Sequence, residues 1–319
     1  MRALTITLPE AGSGKPRREI VELPVPEARK GEVVVRVHFA GLNYFDRETS
    51  SGDHNRSVAR SLKRSPVVSG IEMAGIAETA GAGIEKGDRV VGYTDIWRGP
   101  FYHSQFVATP ASNLAVVPPE VSLEAAASIV GGALTSITAL EKKARLRCGQ
   151  RVLITGATGS VGVTGVQLAT HIGAEVTAVC HSSQLDFVQA QGASMPFAYD
   201  RSEMPAPDGR FDVVFDTAPS LSFAAAGPFL SARGRYITTM PHRDISGFAT
   251  SLLSSKKWTF LLERNTDAAR MGRLRELISA GAFTEVIDRV YHLDDATDAF
   301  ERQLQSGKRG KVLLDMRDR

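Results

Sequence analysis

The sequence predicts an α/β protein made of two dissimilar halves, and three observations carry that expectation. Residues 1–121 hold short β-branched runs separated by Gly and Pro, the pattern of a partly closed β-domain. From Arg151 onward, strand-like and helix-like patterns alternate, which calls for a doubly wound parallel sheet with helices on both faces. At the start of that alternation the apolar run Val152–Thr155 enters Gly156-Ala157-Thr158-Gly159-Ser160-Val161-Gly162 and then a helical pattern.

In the first half the expected strands are Arg2–Leu8, Glu32–Ala40, Gly70–Glu78 and Asp88–Gly92. Ser50–Ser65 is polar without a hydrophobic period and reads as a loop. Ser122 stands before Leu123-Glu-Ala-Ala-Ala and is expected to cap a helix. In the second half the expected strands are Arg151–Thr155, Glu175–Cys180, Phe211–Asp216, Arg235–Met240 and Lys257–Leu262. The expected helices are Val161–Ile172, Gln184–Gln191, Leu221–Leu230 and Asp267–Ala280, the last stopped by Gly281. The tail reads strand, helix, strand over Val286–Tyr291, Asp294–Gln305 and Lys311–Asp315.

Composition narrows the function classes. With 319 residues the chain is long enough for two cores. A net charge of +3, from 38 basic and 35 acidic residues, is too small to argue for nucleic acid or an anionic membrane. No apolar run is expected to reach the ~20 residues that span a bilayer, and Met1–Thr7 alternates like a strand instead of forming a signal core. A cytoplasmic protein is the expectation. Cys148 and Cys180 cannot build a disulfide framework or a four-cysteine zinc site, and both are expected to be buried or semi-buried thiols without a nucleophilic role.

The glycine turn carries the chemistry. A pyrophosphate must approach backbone N–H groups at a helix N-terminus, where side chains would obstruct it. Gly156, Thr158, Gly159, Ser160, Val161 and Gly162 are therefore expected cofactor contacts. The spacing is one residue off the common Gly-x-Gly-x-x-Gly, and a tight turn in another α/β protein would look the same, so the strand–turn–helix setting matters more than the glycines. The end of the second strand, Cys180-His181-Ser182-Ser183-Gln184, has no Asp or Glu to bond a ribose 2′-hydroxyl. NADPH is expected for that reason, with Ser182 and Ser183 as donors, although no Arg or Lys stands there.

Several motifs in order resemble one family. These are Gly41-Leu42-Asn43-Tyr44-Phe45-Asp46, Gly70-Ile71-Glu72-Met73-Ala74-Gly75, Gly87-Asp88-Arg89-Val90, the run Ala126–Thr135, the glycine turn, Val286–Val290 and Gly310–Leu314. Together they resemble the zinc-free branch of the medium-chain dehydrogenase/reductase family, the quinone oxidoreductase-like enzymes. The resemblance implies a GroES-like β-domain over 1–121, a Rossmann domain over 122–285, and a return to the first domain over 286–319, with the active site in the cleft between the domains. It implies NADPH-dependent hydride transfer to a quinone or an α,β-unsaturated carbonyl, and a homodimer. Zinc-dependent relatives have Cys where Asn43 stands and His where Ile71 stands, so no zinc is expected.

The resemblance also implies site residues. Asn43 is expected to donate to the charge that develops on the substrate oxygen or to a ribose hydroxyl, with Tyr44 as a possible proton donor and Asp46 orienting the loop. Thr135 is expected beside the nicotinamide, Tyr199 near the adenosine phosphate, and Thr217 at a sheet edge where ligands bind. The chain departs from its relatives at Gly52-Asp53-His54, where many carry Gly-x-Tyr, which makes His54 a candidate acid. Two alternatives stay open. One is a family member that binds cofactor but has lost catalysis. The other is an enoyl-thioester reductase whose basic loop, Arg56, Arg60, Lys63 and Arg64, grips the thioester carrier.

Overall fold

The structure is a computed structural model, and it describes residues 1–7, 17–46, 67–201, 208–218, 220–240, 244–261 and 263–319. The strands in chain order are β1 (Arg2–Thr7), β2 (Arg17–Glu22), β3 (Glu32–Leu42), β4 (Val67–Val68), β5 (Glu72–Ala77), β6 (Arg89–Tyr93), β7 (Phe106–Pro110) and β8 (Leu114–Val116). They continue as β9 (Arg151–Thr155), β10 (Glu175–Cys180), β11 (Met195–Ala198), β12 (Phe211–Asp216), β13 (Leu230–Thr238), β14 (Lys257–Phe260), β15 (Ile287–His292) and β16 (Lys311–Asp315). The chain divides into two compact units, one of Met1–Val130, Arg264–Ala280 and Glu285–Arg319, the other of Gly131–Glu263 and Gly281–Thr284.

In the first unit the long sheet runs β15-β16-β3-β5-β6-β8, with β7 also on β3, and a small sheet runs β2-β1-β4. All pairs are antiparallel except β15 with β16. The C-terminal strand enters this unit directly, with Val312 opposite Leu42 and Leu313 opposite Gly41. Val33, Val35, Val37, Met73, Val90, Tyr102, Phe300, Val312 and Leu314 fill its core. Val33, Val35 and Val37 recur at the two-residue period of β3, while Tyr102 comes from the segment between β6 and β7 and Phe300 from the helix Ala296–Leu304. The helix Ala268–Ser279, capped by Asp267, groups with this unit, not with the 122–285 segment expected to hold it. Its buried Met271, Leu274, Leu277 and Ile278 recur at helical spacing, and its closest packing is on β8.

The second unit is a six-stranded parallel sheet in the order β11-β10-β9-β12-β13-β14. Counted from β9, that is the 3-2-1-4-5-6 order of the dinucleotide-binding Rossmann sheet. The order reverses between β9 and β12, so a crevice forms beyond their carboxyl ends. The core contains Leu153, Val179, Phe211, Val214, Phe223, Leu230 and Tyr236.

Several expectations need correction. The helix expected over Leu221–Leu230 is only Phe223–Ala226 with a short 3-10 turn at Gly227–Phe229, because Ser222 caps it late and Gly227-Pro228 ends it early. Leu230 therefore begins β13, and the strand expected over Arg235–Met240 starts five residues sooner. Strands β2, β4, β7, β8 and β11 and the helix Ile245–Leu252 have no counterpart among the expected elements. The helix from Leu123 continues through a wider-wound segment to Ala144, giving 22 residues with a mean hydropathy of 1.5 over its most apolar window. By length and composition it could cross a bilayer, but it carries Glu124, Glu141, Lys142 and Lys143, and 83% of its most apolar part is buried inside the protein. Its Ala, Gly and Ser residues keep it apolar while allowing close packing. Ser122 does cap this helix, accepting from Ala125 N at 2.9 Å. Cys148 is exposed, not buried or semi-buried. The expected loop Ser50–Ser65 and its basic residues lie outside the described residues, as does His54.

Candidate functional site

In the second unit β9 ends at Thr155 and the helix Ser160–Ile172 begins five residues later, with Gly159 as its N-cap. Gly156 takes φ +60°, and a Cβ there would lie 2.6 Å from Ala218 Cβ, so only glycine suits the position. A Cβ on Gly162 would collide with the Gly156 carbonyl, which is how the helix comes so close to the strand end. Thr217 braces the turn by donating to Thr155 O at 2.7 Å. Beneath it, buried Asp216 accepts from Thr155 Oγ1, Ser220, Leu221 N and Tyr236 OH. Burial, with the Asp216 charge second, pushes the Tyr236 phenol upward, so it stays a donor.

The turn fits a dinucleotide pyrophosphate on observations of its own. The helix has no side-chain cap, and the hydroxyl of Ser160 is buried without a hydrogen-bond partner. Gly159 faces open space, since a Cβ there meets nothing closer than Gly156 O at 3.6 Å. Uncommitted N–H groups at a helix start are an anion site. Gly156, Thr158, Gly159, Ser160, Val161 and Gly162 lie together at this turn, where Gly159 N donates to Gly156 O at 3.1 Å. Ser136 ties the neighbouring helix to this one, at 3.2 Å from Val161 O and 3.0 Å from Thr164 Oγ1. Thr135, one residue earlier, donates its hydroxyl to Gly131 O at 2.8 Å, the backbone bond of a helix-interior threonine.

The end of β10 differs from the sequence reading. A carboxylate does stand there, supplied by Asp200 from beyond β11. Cys180 pairs with Ala198 in parallel register, so the residues two past each strand end come side by side. Asp200 accepts from Ser182 N and from Ser182 Oγ, each at 2.7 Å, with His181 Nε2 3.5 Å away. The Ser182 hydroxyl holds the Asp200 carboxyl below its usual range. Ser183 is exposed and contacts the His181 ring at 3.0 Å. Tyr199, 61% exposed, stands edge-on to the same ring. Burial pushes the Cys180 thiol up to about 11, with Asp200 adding to it, so it is no thiolate nucleophile.

In the first unit Asn43 follows the end of β3, and its side chain is committed. Its Nδ2 donates to Glu72 Oε1 at 3.0 Å and lies 3.4 Å from Gly41 O. Its Oδ1 accepts from Lys311 Nζ at 2.8 Å, and Lys311 is also ion-paired with Glu72. Both ionic side chains are buried. Asp46 accepts from Asn43 N at 2.9 Å and Gly70 N at 3.1 Å, orienting the segment as expected. His103 Nε2 faces Gly41 O at 3.2 Å, which places the ring proton there and leaves Nδ1 to accept from Ser69 Oγ at 2.8 Å. The amide expected to donate to substrate is thus spent on Glu72 and Gly41. Tyr44 is half-buried beside it.

This donor set does not suit zinc. The positions expected to ligate carry an amide already bonded on both sides and the buried alkyl chain of Ile71, and the nearest carboxylate is paired with an ammonium. Among the described residues no group of three His, Cys, Asp or Glu is placed to hold a metal. Sequence reasoning missed Asp200, Asp216, Glu72, His103 and Lys311. Of these only Glu72 and Lys311 lay in motifs already singled out.

Comparison with known proteins agrees with this architecture. An alcohol dehydrogenase GroES-like domain model matches residues 29–119, and a zinc-binding dehydrogenase model matches 191–314. A chloroplastic quinone-oxidoreductase homolog of Spinacia oleracea is 30% identical over 321 residues, covering 95% of each chain. The quinone oxidoreductase of Rattus norvegicus is 27% identical, covering 92% of each. The solved quinone oxidoreductase of Coxiella burnetii superposes with a TM-score of 0.85 over 99% of each chain, at 22% identity. Such an oxidoreductase family works with a nicotinamide cofactor, and the open glycine turn on a 3-2-1-4-5-6 sheet is where one fits. The chain belongs to the medium-chain dehydrogenase/reductase superfamily and is quinone oxidoreductase-like within it.

Proposed function

We propose that this chain reduces a quinone or an α,β-unsaturated carbonyl, using a reduced nicotinamide dinucleotide held on the Gly156–Gly162 turn. The observation that carries the reading is the turn itself, with its uncapped helix and unpartnered Ser160 hydroxyl. The dinucleotide supplies a hydride, and negative charge then develops on the substrate oxygen. The chain's own contribution is to bind, orient and shield. Gly156, Thr158, Gly159, Ser160, Val161 and Gly162 cradle the pyrophosphate, while Thr217 keeps the turn in shape. Thr135 offers a wall, and Ser182, Ser183 and Tyr199 bound the adenosine end.

Asn43 acts here as a positioning residue, since its amide hydrogens already face Glu72 and Gly41. An amide is no acid, so Asn43 does not supply the proton for the reduced oxygen. The NADPH expected from sequence rested on an acid-free end of the second strand, and Asp200 removes that premise.

The test is direct. Full-length protein is mixed with each reduced dinucleotide, in deuterated form, and with benzoquinone, phenanthrenequinone or an alkenal. Oxidation of the dinucleotide with at least one acceptor is expected, with deuterium retained on carbon when the acceptor is the alkenal. Tight dinucleotide binding without turnover of any acceptor would favour a binding protein that has lost catalysis.

A further inference from the structure

The turn and the end of β10 are one continuous surface. Val179 pairs with Thr155 across β10 and β9, and Ala157 N donates to Val179 O at 3.2 Å, so the glycine turn is bonded to the strand that ends in Ser182. A dinucleotide whose pyrophosphate sits on such a turn lays its adenosine ribose over the end of the second strand. Of the donors there, Ser182 N–H and Oγ–H both point at Asp200, and Ser183 N–H and its hydroxyl lie against His181 Nδ1. The cationic partner beside that carboxylate is the imidazole of His181, which is charged only when protonated.

We propose that Asp200 makes the adenosine-ribose end of this site select NADH against NADPH, by keeping a carboxylate on the Ser182 donors that a 2′-phosphate would need. The proposal rests on the dinucleotide reading of the glycine turn. A ribose 2′-hydroxyl is a donor, and Asp200 can accept from it while still holding Ser182, because a carboxylate offers about four lone-pair sites. A 2′-phosphate carries about −1.5 to −2 charges and needs donors or cations. It would meet a like charge and find Ser182 occupied. This is the acid-to-ribose logic of NAD sites, met here from the third strand of the sheet instead of the second.

Calorimetric titration of the full-length protein with NADH and with NADPH tests this, for wild type, Asp200→Asn and Asp200→Ser. Wild type is expected to bind NADH tighter by roughly tenfold or more. Both variants are expected to tighten NADPH by about tenfold, with no gain for NADH. Asp200→Asn keeps an acceptor for Ser182, and the wild-type ratio needs no variant. Equal or tighter NADPH binding by wild type overturns the proposal while leaving the dinucleotide reading intact. So does a folded Asp200→Asn and Asp200→Ser pair whose NADPH affinity does not move. Binding of neither dinucleotide removes the reading itself, and the proposal with it.

Discussion

At Gly156 the strand β9 ends in a turn whose helix has no side-chain cap and whose Ser160 hydroxyl has no partner. At Leu42 the strand β3 ends in a segment whose polar groups are nearly all taken up, by Asp46, Glu72, Lys311 and His103. Both regions lie in motifs that the sequence marks, yet they spend their hydrogen bonds in opposite ways. Native proteins leave few polar groups unsatisfied. Donors left open in a well-packed element therefore mark where a ligand completes the structure, whereas a closed network marks where the protein completes itself. The Asn43 segment belongs to the second kind, with Glu72 Oε2 as its one unpartnered side-chain atom among those bonds.

Substitutions separate the two kinds of region, and the largest effect is expected in the closed one. Lys311→Met strands the fully buried Glu72 carboxylate and should cost about 3–5 kcal/mol of stability, read from denaturant melts. A loss below about 1 kcal/mol would mean that the network is not closed around this pair. In the open region, Gly162→Ala forces a Cβ into the Gly156 carbonyl and should cost about 1–3 kcal/mol, since backbone cannot swing aside as a side chain can. Asn43→Ala removes the acceptor of Lys311 and a donor to Glu72, for about 1–3 kcal/mol. An unchanged melt with a collapsed kcat would instead restore Asn43 to the reacting atoms.

A smaller effect comes with acid. Burial works against ionisation of Asp288, but two hydrogen bonds from Arg302 and one from Arg309 N outweigh it and hold the carboxyl below its usual range. A depressed folded pKa means stability that is complete above the unfolded value near about 3.9 and is lost as pH falls through the folded value. Melting temperature should therefore decline below about pH 4, and Asp288→Asn should flatten that decline. The smallest effect is assigned to Tyr44→Phe, which keeps the ring. It should change stability and kcat little, and a fall in kcat of about 10²-fold or more would make Tyr44 the acid.

Much of the second unit was legible because its signals are local. An apolar run, the turn glycines Gly156, Gly159 and Gly162 and a helical period sit within Val152–Ile172, and the alternation that follows repeats the strand–helix theme. The elements that escaped have weak local signals. β2 is Arg-Arg-Glu-Ile-Val-Glu and mostly exposed, β11 contains Pro196, and the helix Ile245–Leu252 is capped by Asp244 but carries Ser and Gly inside. The site partners escaped for another reason. Lys311 reaches Asn43 across 268 positions and Asp200 reaches Ser182 across 18, and in each case strand pairing brings them together. A carboxylate count along one strand end could not register an acid delivered by the neighbouring strand.

The contrast between an open and a closed region is tested most directly at Gly159. A Cβ there touches nothing within the protein closer than 3.6 Å, and the residue has an ordinary negative φ of −75°. Gly159→Ala should therefore melt within about 1 kcal/mol of wild type, the scale of an N-cap change. The same methyl group would stand where a pyrophosphate must approach the helix start. Calorimetry with NADH should show affinity reduced by about 100-fold or more. Wild-type affinity in a normally folded Gly159→Ala protein would contradict the assignment of this turn as the dinucleotide site.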